Sequence, residues 1–293
     1  MQEILEAAVD SLASARAAIT GGANRLELCS ALAVGGLTPY AELLQQIRTE
    51  SDIPVRCLIR PRGGDFLYTN EEIMMMAAQI GHLRKSGADG FVIGCLNAEG
   101  DLDIQAMEPL LKEAEGAGLT LHRCIDVSRD PCQTYLDAME LGFDTVLTSG
   151  AAGNCLLGME TIGKMLQLRD AHRGPEVLSG AGVNANVIAA FRAAWPQARA
   201  FHMSGKVEVE SSMVFRREGV PMGLPGLDEW HIQQTSEDNI RAARAVLEGG
   251  PAASFALFNA AEDFLIILRF FVPTHDDHDE SRQDHQCTRG GRR

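Results

Sequence analysis

Ile53-Pro54-Val55-Arg56-Cys57-Leu58-Ile59-Arg60-Pro61-Arg62-Gly63-Gly64-Asp65-Phe66 reads as a strand that stops at a polar turn. Val, Cys, Leu and Ile form a short apolar run suited to a buried strand, Pro61 has no N–H to give to a ladder, and Gly63-Gly64 lets backbone approach another group closely. A helix pattern over Asn70 to Lys85 follows, and then a second apolar run, Gly90 to Gly94. Strand, crossover helix, strand is the unit that builds parallel sheets.

The same alternation extends in both directions. Strands are predicted at Ile4 to Val9, Arg25 to Cys29, Val55 to Ile59, Gly90 to Gly94, Leu119 to Cys124, Thr145 to Thr148, Glu176 to Ser179 and Arg199 to Met203. Helix patterns separate them at Leu12 to Ile19, Tyr40 to Arg48, Asn70 to Lys85, Ile104 to Ala114, Cys132 to Leu141, Thr161 to His172 and Ala185 to Ala194, with Ser236 to Leu247 after the eighth strand. Thr38-Pro39 and Asp130-Pro131 place a cap before a first-turn proline, and Gly87, Gly142 and Gly249 sit just past helical runs. Eight strand–helix pairs predict a closed (β/α)₈ TIM barrel over residues 1–249. An open doubly wound sheet is the competing topology, and no G-x-G-x-x-G follows the first strand to support it. Residues 250–293 exceed the barrel and read as a C-terminal extension, one apolar helix followed by a disordered polar tail.

A net charge of -14 argues against nucleic acid or an anionic membrane surface as the partner, because both select basic proteins. Seven cysteines, scattered and without C-x-x-C or zinc spacing, fit a reducing cytoplasm. No export signal is visible, and Glu262, Asp263 and Arg269 interrupt the most apolar stretch, Phe255 to Val272, so no membrane span is expected.

A barrel of this class works at the C-terminal ends of its strands. Period-2 alternation turns Glu27 and Cys29 inward, opposite Leu26 and Leu28. It pairs His122 with Cys124, followed by Asp126, and sets His202 and Ser204 opposite Phe201 and Met203. Arg60 and Arg62 present guanidinium forks suited to carboxylate or phosphate, with Asp65 placed to hold one of them. The competing reading has Arg62 and Asp65 pair across a surface turn. Gly180-Ala181-Gly182 before Asn184, together with Ser149 and Ser204-Gly205, resembles a phosphate cradle, although glycines also serve plain βα turns. A small anionic ligand is the expected partner.

Taken in order, Glu27-Leu28-Cys29-Ser30, Gly35-Gly36-Leu37-Thr38-Pro39, Ile59 to Phe66, His122-Arg123 with Asp126, Leu147-Thr148-Ser149-Gly150 and Gly180-Ala181-Gly182 resemble the CutC family over roughly residues 3 to 248. The resemblance implies a cytoplasmic, homo-oligomeric barrel of copper homeostasis that binds Cu(I) through cysteines. In this chain Cys29 and Cys124 supply such a pair if both face inward. Ala8 stands in the strand where the family typically carries a further cysteine. Three classes of function follow: a Cu(I) binder, an enzyme in which Glu27, His122 or His202 moves protons on an anion held by Arg60 and Arg62, and a non-catalytic scaffold.

Overall fold

The computed structural model describes residues 3–249 apart from 218, 221 and 224–228. Eight parallel strands close on themselves: β1 Ile4–Val9, β2 Arg25–Leu28, β3 Val55–Leu58, β4 Gly90–Ile93, β5 Gly118–Leu121, β6 Thr145–Thr148, β7 Glu176–Ser179 and β8 Ala200–Met203, with β8 pairing β1. Helices α1 Leu12–Thr20, α2 Ala41–Glu50, α3 Asn70–Lys85, α4 Ile104–Glu113, α5 Pro131–Glu140, α6 Met159–His172 and α7 Ala185–Ala194 connect successive strands, and α8 Glu237–Leu247 completes the ring. The chain is a TIM barrel.

The strand code is visible in the packing. Leu5, Ala7 and Val9 of β1 and Leu26 and Leu28 of β2 join the large core between strands and helices. Glu6, Ala8 and Glu27 take the alternate positions and face the barrel interior. Helix starts are fixed by side-chain caps, from Ser11 on α1 and Asp130 on α5, which is followed by Pro131, to the reciprocal Thr69–Glu72 capping box on α3. Among the described residues no helix is long and apolar enough to cross a membrane.

Two parts differ from the sequence expectation. The fifth strand ends at Leu121, and Arg123–Val127 forms a 3₁₀ turn capped by His122, so strand alternation does not reach Cys124. Between β8 and α8 lies an unanticipated antiparallel ribbon, β9 Lys206–Glu210 with β10 His231–Thr235. The apolar helix and polar tail expected over 250–293 lie outside the described residues.

Candidate functional site

Polar side chains stack along the barrel axis from its foot to its mouth. At the foot, Arg56 of β3 donates to Thr120, Thr145 and Asp144 across the interior at 2.6–3.1 Å. In the next layer, register sets Glu6 beside both Arg25 and His202. The Arg25 guanidinium pairs with Glu6, and His202 Nδ1 donates to Glu6 Oε1 at 2.8 Å. Glu6 is fully buried, and its two oxygens are divided between these partners. Burial, the largest single influence, would raise its pKa, but Arg25, His202 and Arg56 together outweigh it, and the pKa falls to about 2.

One layer higher, His202 Nε2 lies 3.8 Å from Glu27 Oε2, too far for a hydrogen bond but close enough for strong coupling. Burial pushes Glu27 up from 4.5 to about 7; His202 and Arg25 oppose the shift and Glu6 adds to it. Burial works against charge on His202, yet Glu27 and then Glu6 prevail and raise its pKa. Arg25, Glu6, His202 and Glu27 thus form one chain of polar groups, in which Arg25 and Glu6 at the base orient His202, and His202 and Glu27 make the pair at the top.

That pair opens into a cavity of about 500 Å³ at the C-terminal strand ends, whose lining also includes Arg60, His122, Arg123 and Asp126. The size suits a small molecule. His122 is buried; its Nδ1 accepts from the Cys124 backbone N–H at 3.1 Å, which leaves the ring proton on Nε2. Burial, and then the nearby Arg60 charge, lower its pKa to about 3, so the ring is neutral at physiological pH. Gly94 makes room for it: an added Cβ there would stand 2.7 Å from His122 Cε1. Arg60 is held by three backbone carbonyls, those of Val34, Gly36 and Gly64, and stacks over Phe66 at 5.3 Å. Phe66 also meets the His122 ring, with centroids 4.8 Å apart.

Glu27, Arg60, His122 and His202, expected from alternation to converge, all line this cavity, as do Gly182 and Ser204. Asp126 reaches it with its carboxylate already committed, accepting from Arg123, Thr148, Ser149 and the Ala151 N–H. It organises the rim after β6. Ser149, bound to Asp126 and Ala152, and Gly180, which packs toward Leu147, lie outside the lining.

Arg62 is a correction. It turns away from the cavity to Glu72 at 2.6 Å and Asp65 at 3.1 Å, because Pro61 and the glycine turn end the extended backbone on which shared facing depends. Arg62 and Asp65 are therefore a surface pair. The cysteines are a second correction. Cys29 packs with Leu58 and Val92, whereas Cys124, carried off the strand by the 3₁₀ turn, belongs to the outer core. Neither lines the cavity, and burial raises both thiols far above the ordinary cysteine value. Glu6, Arg25 and Arg123 were not anticipated as parts of the site. The signal for Glu6 was available, since it shares parity with Ala8 between the outward Leu5 and Ala7.

A closed (β/α)₈ barrel with an ionisable cluster lining the cavity at its C-terminal mouth places the chain among the TIM barrels. Within that class the chain belongs to the CutC family, whose model matches residues 3–207. It is 40% identical over 249 residues to a family protein CutC from Chromobacterium violaceum, covering 85% of this chain and 99% of that one. Identity to a family protein CutC from Porphyromonas gingivalis is 39% over 246 residues, 84% and 98% of the two chains. The crystal structure of a CutC protein from Streptococcus agalactiae, described provisionally as a copper homeostasis protein, superposes with a TM-score of 0.65 at 26% identity, over 69% of this chain and 99% of that one.

Proposed function

We propose that the barrel mouth is the active site of an acid–base enzyme acting on a small anionic molecule. Glu27 and His202 exchange the proton, Glu6 and Arg25 fix the orientation of His202, and Arg60 supplies positive charge to the ligand. The observation that carries this reading is Glu27: a buried carboxyl with a pKa near 7, in contact with His202 at 3.8 Å, at the base of an open cavity. A carboxyl poised near the working pH is suited to general acid–base catalysis. A purely structural pair would be expected to close into a hydrogen bond, as His202 does with Glu6. The test is a thermal-shift screen against organic acids and sugar phosphates, in which at least one anion raises the melting temperature of the wild type and fails to raise that of Arg60→Ala. If no anion stabilises the protein, or if stabilisation survives Arg60→Ala, the reading falls.

Copper homeostasis is a second reading, favoured by the description of the S. agalactiae relative. Cu(I) takes soft thiolate and thioether ligands in convergent pairs. Cys29 and Cys124 do not provide one here: they sit in separate apolar clusters, and Cys29 Sγ is turned to the Val9 carbonyl at 3.5 Å. The expected outcome of an anaerobic Cu(I) titration against a competing chelator is weak binding that depends on Cys29. Tight stoichiometric binding that persists in Cys29→Ala would contradict it.

A further inference from the structure

We infer that the gap between Glu27 and His202 is the seat of one hydroxyl of the ligand, so that the molecule received at the mouth is a small hydroxylated anion, a hydroxy acid or a polyol phosphate, rather than a plain carboxylate or phosphate. The inference rests on the reading of the mouth as an acid–base site for an anion and names its substrate class.

Three observations carry it. First, Glu27 and His202 both line the cavity, and neither the Glu27 oxygens nor His202 Nε2 forms a hydrogen bond within the described protein, the one side-chain bond of His202 being that of Nδ1 to Glu6. Nor do these atoms belong to the buried polar atoms sealed off without a partner, as His122 Nε2 and Arg60 Nε are. Unpartnered and unsealed, they meet the open space of the cavity. A buried carboxyl left in that state calls for a partner from outside the protein.

Second, the 3.8 Å between His202 Nε2 and Glu27 Oε2 fits a single oxygen. An oxygen about 2.8 Å from each atom makes two ordinary hydrogen bonds that meet at nearly a right angle. The chemistry of the two walls selects a hydroxyl for this place. A carboxylate or phosphate oxygen only accepts and would be repelled by an ionised Glu27, and an amide or ammonium N–H only donates. A hydroxyl does both. With the proton on His202 it accepts from Nε2 and donates to Glu27; with the proton on Glu27 it accepts from the carboxyl and donates to Nε2.

Third, the lining carries a positive charge without an acidic partner. The Arg60 guanidinium is bonded only to the carbonyls of Val34, Gly36 and Gly64. It follows β3, and Glu27 lies on β2, the strand paired with β3. The anionic end of the ligand therefore turns toward Arg60 and away from Glu27, and the hydroxyl occupies the other end, a few bonds along the same molecule.

The test uses the full chain and three pairs of probes matched in charge: glycolate with acetate, lactate with propionate, and glycerol 3-phosphate with n-propyl phosphate. Binding is read by thermal shift and titration calorimetry at neutral pH. In at least one pair the hydroxylated member is expected to bind more tightly by about 10- to 100-fold, the usual gain from a hydrogen bond to a charged group. Glu27→Leu, which keeps the bulk and removes the acceptor, abolishes the preference, and Glu27→Gln, whose amide oxygen still accepts, retains part of it. Each variant is first shown to melt cooperatively; the comparison within a pair is made on the wild type and does not depend on a variant folding. Equal affinity within every pair overturns the inference, since water then fills the gap, and so does a preference undiminished in Glu27→Leu, since the hydroxyl then binds elsewhere. Equal affinities that are lost in Arg60→Ala leave the acid–base reading standing while this inference falls; if no probe binds, both fall.

Discussion

Glu27 illustrates what burial does to a carboxyl. Its pKa is about 7 in the folded protein against an ordinary 4.5, so the native state holds a proton that the unfolded chain releases. Between those values the native state binds more protons, and stability falls as pH rises; the contribution is full below about 4.5 and gone above about 7. Glu27→Gln removes the dependence. The variant is expected to be more stable than wild type at pH 8 by on the order of 1–3 kcal/mol, as measured by urea unfolding across pH 5–8. An unchanged pH profile would show that Glu27 ionises normally. Glu6 has the opposite sign: its pKa of about 2 makes its contribution present above 4.5 and lost as pH falls toward 2. Arg25→Met strands that buried carboxylate and is expected to cost roughly 3–5 kcal/mol, read from the same unfolding curves. A loss below about 1 kcal/mol would mean that His202 alone satisfies Glu6.

At the scale of the element, the short fifth strand decides the site. Because the backbone leaves the ladder at Leu121 and enters the 3₁₀ turn, His122 becomes its cap and Cys124 moves into the outer core. Gly94, at the end of β4, keeps this corner open. Gly94→Ala places a Cβ 2.4 Å from Cys124 Sγ and 2.8 Å from His122 Nδ1, so the imidazole must move. The variant is expected to lose anion stabilisation at the mouth and about 1–3 kcal/mol of stability. A control lies elsewhere on the barrel. Gly163 of α6 sits against Trp195, whose ring would be 2.1 Å from an added Cβ. Gly163→Ala should destabilise through this contact between α6 and the end of α7 while leaving ligand-induced shifts intact. Equal loss of ligand response in both variants would show that the Gly94 effect is general loosening.

For the whole molecule, closure comes from β8 pairing with β1, and α8 packs beside α1 and α7. All eight barrel strands and the helices α1 to α8 are therefore in place by Leu247. Truncation after Gly249 is expected to yield a soluble product with a cooperative melt and the oligomeric size of the full chain. Aggregation or a changed size would assign residues 250–293 a part in folding or assembly. The ribbon of β9 and β10 leaves Val207, Val209 and Ile232 substantially exposed. Its alternating Lys206-Val207-Glu208-Val209-Glu210 carries a strand signal that becomes decisive only when His231–Thr235 is seen to pair with it from a distance in sequence.

The sequence alone determined the barrel and the inward set of Glu27, His122 and His202, because both follow from local periodicity: a period of two in strands, a helix between each pair, and caps at the helix ends. Alternation also turned Arg60 toward the mouth. It misled at Arg62 and Cys124, the two positions where the backbone had already left extended geometry. Only the tertiary structure decided that Glu6 and Arg25 stand beneath His202, since strand register and ring closure bring together residues 196 positions apart. The ionisation of Glu27 was likewise invisible in the chain: a pKa belongs to burial and neighbouring charge, and both are created when the eighth strand meets the first.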